Sequence, residues 1–130
     1  MTRDALWKLD ATAQAALVRA RDVTASELVE AAIARIEALN PRINAVVMPM
    51  FDTARQQARH GDFGDGSFAG VPMLLKDASI EVEGTPYYLG TRLLRDIGYR
   101  SERTTELAMQ LLPKDITERS HADTLPAWAF

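Results

Sequence analysis

The sequence predicts an α/β chain in which helices pack on an incomplete mixed sheet. Three observations carry this. The first 40 residues hold two capped runs with apolar residues at helical spacing. A glycine-rich loop, GDFGDGSFAG (Gly61–Gly70), follows later in the chain. It leads into GVPMLLKD (Gly70–Asp77), where five apolar residues, Val71 to Leu75, run without a break into Lys76 and Asp77. A short apolar run framed by glycine and charge reads as a strand buried on both faces. Pro72 argues against a helix there. The run delivers Lys76 to the carboxyl end of that strand, the edge at which open α/β sheets place their crevices.

Asp10 caps a first helix reaching about Ala20, with Ala13, Ala16, Leu17 and Ala20 on one face. Thr24-Ala25-Ser26-Glu27 has the form of a capping box and opens a second helix. Leu28, Ala32 and Ile36 stack along that helix beside Val29 and Ile33, and Asn40-Pro41 is expected to end it. An amphipathic face of this kind serves a structural layer or a docking surface equally. Ile43–Met48, rich in β-branched residues, is expected to be a buried strand closed by Pro49.

Asp52 to about His60 predicts a third helix, and His60 before Gly61 reads as a cation at a helix end, not as a ligand or catalyst. The loop that follows lacks the lysine–hydroxyl ending of a P-loop and the spacing of an EF-hand. Asp65 stands where a nucleophile elbow around Ser67 would need glycine. Beyond Asp77, Ile80 and Val82 are expected to face one way and Glu81 and Glu83 the other, before a turn at Gly84-Thr85-Pro86. Tyr87, Tyr88 and Leu89 fill a core or line a pocket, and Leu93, Leu94 and Ile97 read as further core. Thr104 or Thr105 is expected to cap a last helix through Leu112.

Composition narrows the function classes. The chain has 130 residues, 47% apolar and 25% charged, and a net charge of −3 from 15 basic and 18 acidic residues of scattered sign. That is the make-up of an ordinary soluble domain with no basic stripe, so nucleic acid is not an expected partner. No apolar run is long enough to span a membrane, and MTRDALWKLD does not have the form of a secretory signal. With no cysteine, disulfides and thiolate chemistry are excluded. A cytoplasmic location is the default expectation.

Lys76 has two readings on these residues. Its ammonium marks the point where the strand meets water, or it is held in a poorly hydrated pocket, where a lysine becomes a usable base. The eight residues of the segment by themselves favour the first. A wider pattern favours the second. LVRARDVTASELVEAAIARIEALNPRINAVV (Leu17–Val47), FAGVPMLLKD (Phe68–Asp77) and EGTPYYLGTRLL (Glu83–Leu94) come in the order of the N-terminal part of the amidase signature family, which the chain resembles from Leu9 to about Leu107. The likeness leans towards members acting on linear or cyclic amides related to nylon oligomers.

The resemblance implies a fragment of the larger amidase signature fold, residues 1–108, followed by a divergent tail, 109–130. It implies hydrolysis of carbon–nitrogen amide bonds by a Ser–cis-Ser–Lys triad without metal or organic cofactor. Lys76 takes the place of the triad lysine, and it is the catalytic residue that carries over. A Gly/Ser-rich signature holding both serines is not found: no glycine follows Gly98, and the five serines are Ser26, Ser67, Ser79, Ser101 and Ser120. A Ser79–Lys76 pair would lack oxyanion donors, and His121 with Asp123 makes no triad. The expectation is therefore a truncated or frame-shifted relative, inactive alone, with a small-molecule amide as substrate if complemented. Two alternatives are a module that pairs with itself or with a separately encoded remainder, through its helices or through Leu125, Trp128 and Phe130, and a marginally folded remnant.

Overall fold

The computed structural model describes residues 3–61 and 63–111. They divide after Met73 into two compact units.

The first unit is helical. A 3-10 turn, Arg3–Lys8, precedes α1 (Ala11–Ala20), α2 (Ala25–Ile43) and α3 (Phe51–His60). Both predicted caps form. Asp10 Oδ1 accepts the Ala13 N–H at 2.8 Å. Thr24 Oγ1 accepts from Glu27 N–H at 3.2 Å, while Glu27 Oε2 accepts the Thr24 N–H at 3.0 Å. Two donors that helix geometry leaves orphaned are thereby satisfied within four residues of chain. Thr24→Ala removes one of these bonds and should cost about 1 kcal/mol of stability, read from a denaturation midpoint.

Leu28, Val29 and Ile33 of the predicted apolar face of α2 are buried together with Ala25, while Ala32 and Ile36 are half-buried. Both α3 and the 3-10 turn pack on α2. Leu6 and Ala54 are buried in this core, and Arg55 ties α3 to Glu30 through Nε at 2.9 Å and Nη2 at 3.3 Å. The Arg35 guanidinium lies 3.8 Å from the centre of the Trp7 ring, a cation–π contact that joins α2 to the 3-10 turn. On α1 the buried residue is Ala15, while Ala16 and Ala20 of the expected face are exposed.

Gly70 lies where the returning loop meets α1 and α2. Its φ is +77°, and a Cβ there would lie 3.1 Å from Val18 Cγ1 and 3.2 Å from the Ala25 Cβ. Gly70→Ala combines a left-handed backbone penalty of about 1–2 kcal/mol with this crowding, and should destabilise by at least that amount in a denaturant titration.

Three local expectations need correction. Pro41 does not end α2, which runs on to Ile43 and closes with Asn44 in the left-handed conformation, its N–H on Asn40 O at 2.7 Å. Proline removes one donor, and in the last turn that loss is confined to the helix end. Ile43–Met48 is not a strand. The Asn40 side chain donates to Val46 O and accepts from Val46 N, both at 2.9 Å, so this backbone is satisfied locally without a ladder. Leu93 and Ile97, expected in the core, are 70% and 64% exposed.

The predicted sheet has no counterpart among the described residues, where the β pairing is an isolated antiparallel bridge, Pro86 to Arg100. Val71–Lys76 has no regular secondary structure and makes no ladder, and Leu74 is exposed. An apolar strand buried on two faces needs neighbouring strands, and the described residues supply none for this run.

The second unit is built instead on two passages lying side by side. Gly84 N–H donates to Ser101 O at 2.8 Å, Ser101 N–H to Thr85 O at 2.9 Å, Tyr87 N–H to Tyr99 O at 3.3 Å, and Thr105 N–H to Glu81 O at 3.0 Å. The short helix α4 (Arg92–Asp96), capped by Thr91, connects them. Thr105 caps α5 (Glu106–Leu111). The expected tail readings at His121, Asp123, Leu125, Trp128 and Phe130 lie outside the described residues.

Candidate functional site

Lys76 is exposed, and its side chain makes no hydrogen bond or ion pair among the described residues. The neighbouring Asp77 is an anchor. Its Oδ1 accepts the Tyr88 N–H at 2.8 Å and its Oδ2 the Gly90 N–H at 3.3 Å. A carboxylate holding two backbone donors across the 88–90 turn fixes the chain immediately after the lysine. Two residues on, Ser79 has φ +73°, and its N–H donates to the Tyr87 hydroxyl at 2.8 Å. Tyr87 is buried, so its hydroxyl is the polar handle that ties the chain beyond Asp77 to the 81–87 passage. No Ser79–Lys76 hydrogen bond forms among the described residues. The serine at this position therefore supplies no nucleophile–base geometry.

A second cluster was not expected from the sequence. Glu81, expected by alternation to face the same way as Glu83, is 8% exposed. Its Oε2 accepts from the Ser101 hydroxyl at 2.8 Å, and its Oε1 accepts from Arg103 Nη2 at 2.7 Å and Nε at 3.2 Å. The hydrogen bonds from Arg103, then that from Ser101, hold the Glu81 carboxyl below its ordinary value, outweighing the opposing effect of burial. A depressed pKa contributes stability above the unfolded value, and that stability is lost as pH falls through the folded one. Glu81→Gln should therefore give lower stability at neutral pH and a shallower loss on acidification below about pH 4.5, measured by denaturation midpoints across pH. A variant with an unchanged acid limb would remove this cluster from the account.

Glu81 and Arg103 form one wall of an open cleft of about 570 Å³, with Tyr87, Leu89, Leu94 and Tyr99 around it. Lys76 does not line it, so cleft and lysine are separate features of the second unit. Among the described residues no three His, Asp or Glu side chains come together in a way that could hold a metal. No described helix is long and apolar enough to cross a membrane.

The anchored Lys–Asp segment, with the helical pieces before it and the Gly-Thr turns after it, is the N-terminal pattern of an amidase. The sequence profile described as Amidase matches residues 27–114, which take in most of α2, all of α3, Lys76, Asp77 and α4. The chain belongs to the amidase signature family. It is 43% identical over 102 residues to the 6-aminohexanoate-cyclic-dimer hydrolase of Pseudomonas sp. (strain NK87), covering 78% of this chain and 20% of that one. The enzyme of the same name from Paenarthrobacter ureafaciens matches equally, at 43% over 102 residues. The solved structure of 6-aminohexanoate cyclic dimer hydrolase complexed with substrate superposes with a TM-score of 0.72 at 40% identity, over 82% of this chain and 21% of that one. The chain thus spans about a fifth of the length of the curated relatives it matches.

Proposed function

We propose that this chain serves the hydrolysis of carbon–nitrogen amide bonds in small linear or cyclic amides, with Lys76 as the terminal base. The observation that carries the reading is 43% identity to hydrolases of a cyclic amide dimer across the region holding the Lys–Asp pair. In the proposed reaction one serine attacks the amide carbonyl. Its proton passes through a second serine to the lysine amine and returns by the same relay to the nitrogen of the breaking C–N bond, so the amine leaves protonated; water then cleaves the acyl–serine ester. Lysine is the distant end of this relay. The 130 residues contain no Gly/Ser-rich segment to supply the nucleophile, the bridging serine or the oxyanion donors.

Parts that act as a unit lose activity together when one is absent. Purified polypeptide 1–130, incubated with aryl and aliphatic amides, is therefore expected to show no turnover above background. Turnover that disappears in Lys76→Ala would overturn the division of labour, because it would place a complete catalyst within these residues.

A further inference from the structure

Two residues close to the Lys76–Asp77 segment hold backbone conformations that side chains resist. Ser79 has φ +73° and Leu89 φ +51°, the left-handed region that residues with a Cβ rarely adopt. Each is flanked by hydrogen bonds that join the two passages. Ser79 N–H donates to the Tyr87 hydroxyl at 2.8 Å. The Asp77 carboxylate accepts the amides on both sides of Leu89, Tyr88 N–H at 2.8 Å and Gly90 N–H at 3.3 Å. Thr91 N–H closes the same turn on Tyr88 O at 2.8 Å. A residue other than glycine keeps such a conformation only where its surroundings over-determine it, and strain of this kind gathers where geometry serves function. Here one strained residue stands three positions after Lys76. The other sits inside the turn that the residue after Lys76 holds.

We infer that Asp77 is a positioning residue for Lys76: its carboxylate locks the chain one residue past the lysine onto the 88–90 turn, so that the amine is presented in one direction. The inference rests on the reading of Lys76 as terminal base. A lysine amine rides on a flexible four-carbon stem, so the backbone at its root sets the region it can sweep. Of the side chains from 71 to 78, Asp77 is the one that hydrogen-bonds among the described residues, which makes it the restraint nearest that root. The clamp has a second consequence. Pairing with a carboxylate favours the charged form of a lysine, whereas a base must be neutral to take a proton. Both Asp77 oxygens are turned onto backbone amides, and Lys76 makes no ion pair among the described residues. The anion next in sequence is thus kept off the base.

Two measurements test this. In 1–130 itself, Asp77→Ala should speed hydrogen exchange of the Tyr88 and Gly90 amides, a readout that needs no activity. In an active protein containing these residues, the same change should lower kcat for amide hydrolysis by about tenfold to a hundredfold, with KM moved by no more than about threefold. In a Lys76→Ala background it should alter kcat by no more than about threefold, because a residue that acts through the lysine then has nothing left to position. Asp77→Asn keeps a carbonyl oxygen for the Tyr88 amide, so it should release the Gly90 amide alone and lose less kcat than Asp77→Ala. An equal loss in both backgrounds overturns the inference, since it marks a role in folding that bypasses the lysine. Unchanged amide exchange or unchanged kcat in Asp77→Ala overturns it too, while leaving the lysine reading intact. Full activity in Lys76→Ala overturns both together, so the two failures are told apart.

Discussion

Lys76→Ala in an active protein containing these residues should lower kcat for amide hydrolysis by about 10²–10⁴-fold, the range attributable to a positioned proton acceptor. Lys76→Arg should not restore it, because a guanidinium stays protonated and cannot take a proton from a serine. The exposure of Lys76, with no hydrogen bond or ion pair among the described residues, makes the experiment clean. Its replacement removes no hydrogen bond or ion pair of the described residues, so folding should match the parent. A loss in kcat with unchanged folding then reports on proton transfer. An alanine variant retaining activity within about threefold would remove the lysine from the reaction.

Ile33→Ala should cost about 2–5 kcal/mol, the range for truncating a buried aliphatic side chain. Ile33 is 1% exposed on the buried stripe of α2, the helix on which α3 and the 3-10 turn both pack. Ile33→Val, which deletes one methylene, should cost about 0.5–1.5 kcal/mol. Ile43→Ala on the same helix supplies the contrast: Ile43 is 64% exposed, and its loss should stay within about 0.5 kcal/mol. Urea titrations with a common slope read all three. Equal costs at positions 33 and 43 would mean that α2 is not the centre of the first unit.

These contrasts follow the division between what local pattern reveals and what it hides. The Asp10 cap, the Thr24–Glu27 box and the buried spacing of α2 were legible because each is closed within a few residues, so the sequence window contains both partners. Ala16 and Ala20 were misplaced because alanine satisfies a helix whether its face is wet or dry. The Glu81 cluster was missed for a different reason. Its partners Ser101 and Arg103 lie 20 and 22 residues away, and alternation assigns a side chain to a face without saying what waits there. Asp77 was read as one half of a Lys–Asp pair. Its role in holding the Tyr88 and Gly90 amides depends on a turn more than ten residues downstream.

By itself the sequence determined the helices, their caps and the family, since these rest on short-range pairs and on the order of recognisable segments. Only the tertiary structure decided that the apolar run before Lys76 forms no ladder, that Glu81 is buried against Ser101 and Arg103, and that Leu93 and Ile97 meet water. The physical reason is range. A cap or a helical stripe is satisfied by its own neighbours, whereas a strand edge, a buried carboxylate and an apolar face are each completed by groups the local sequence does not specify.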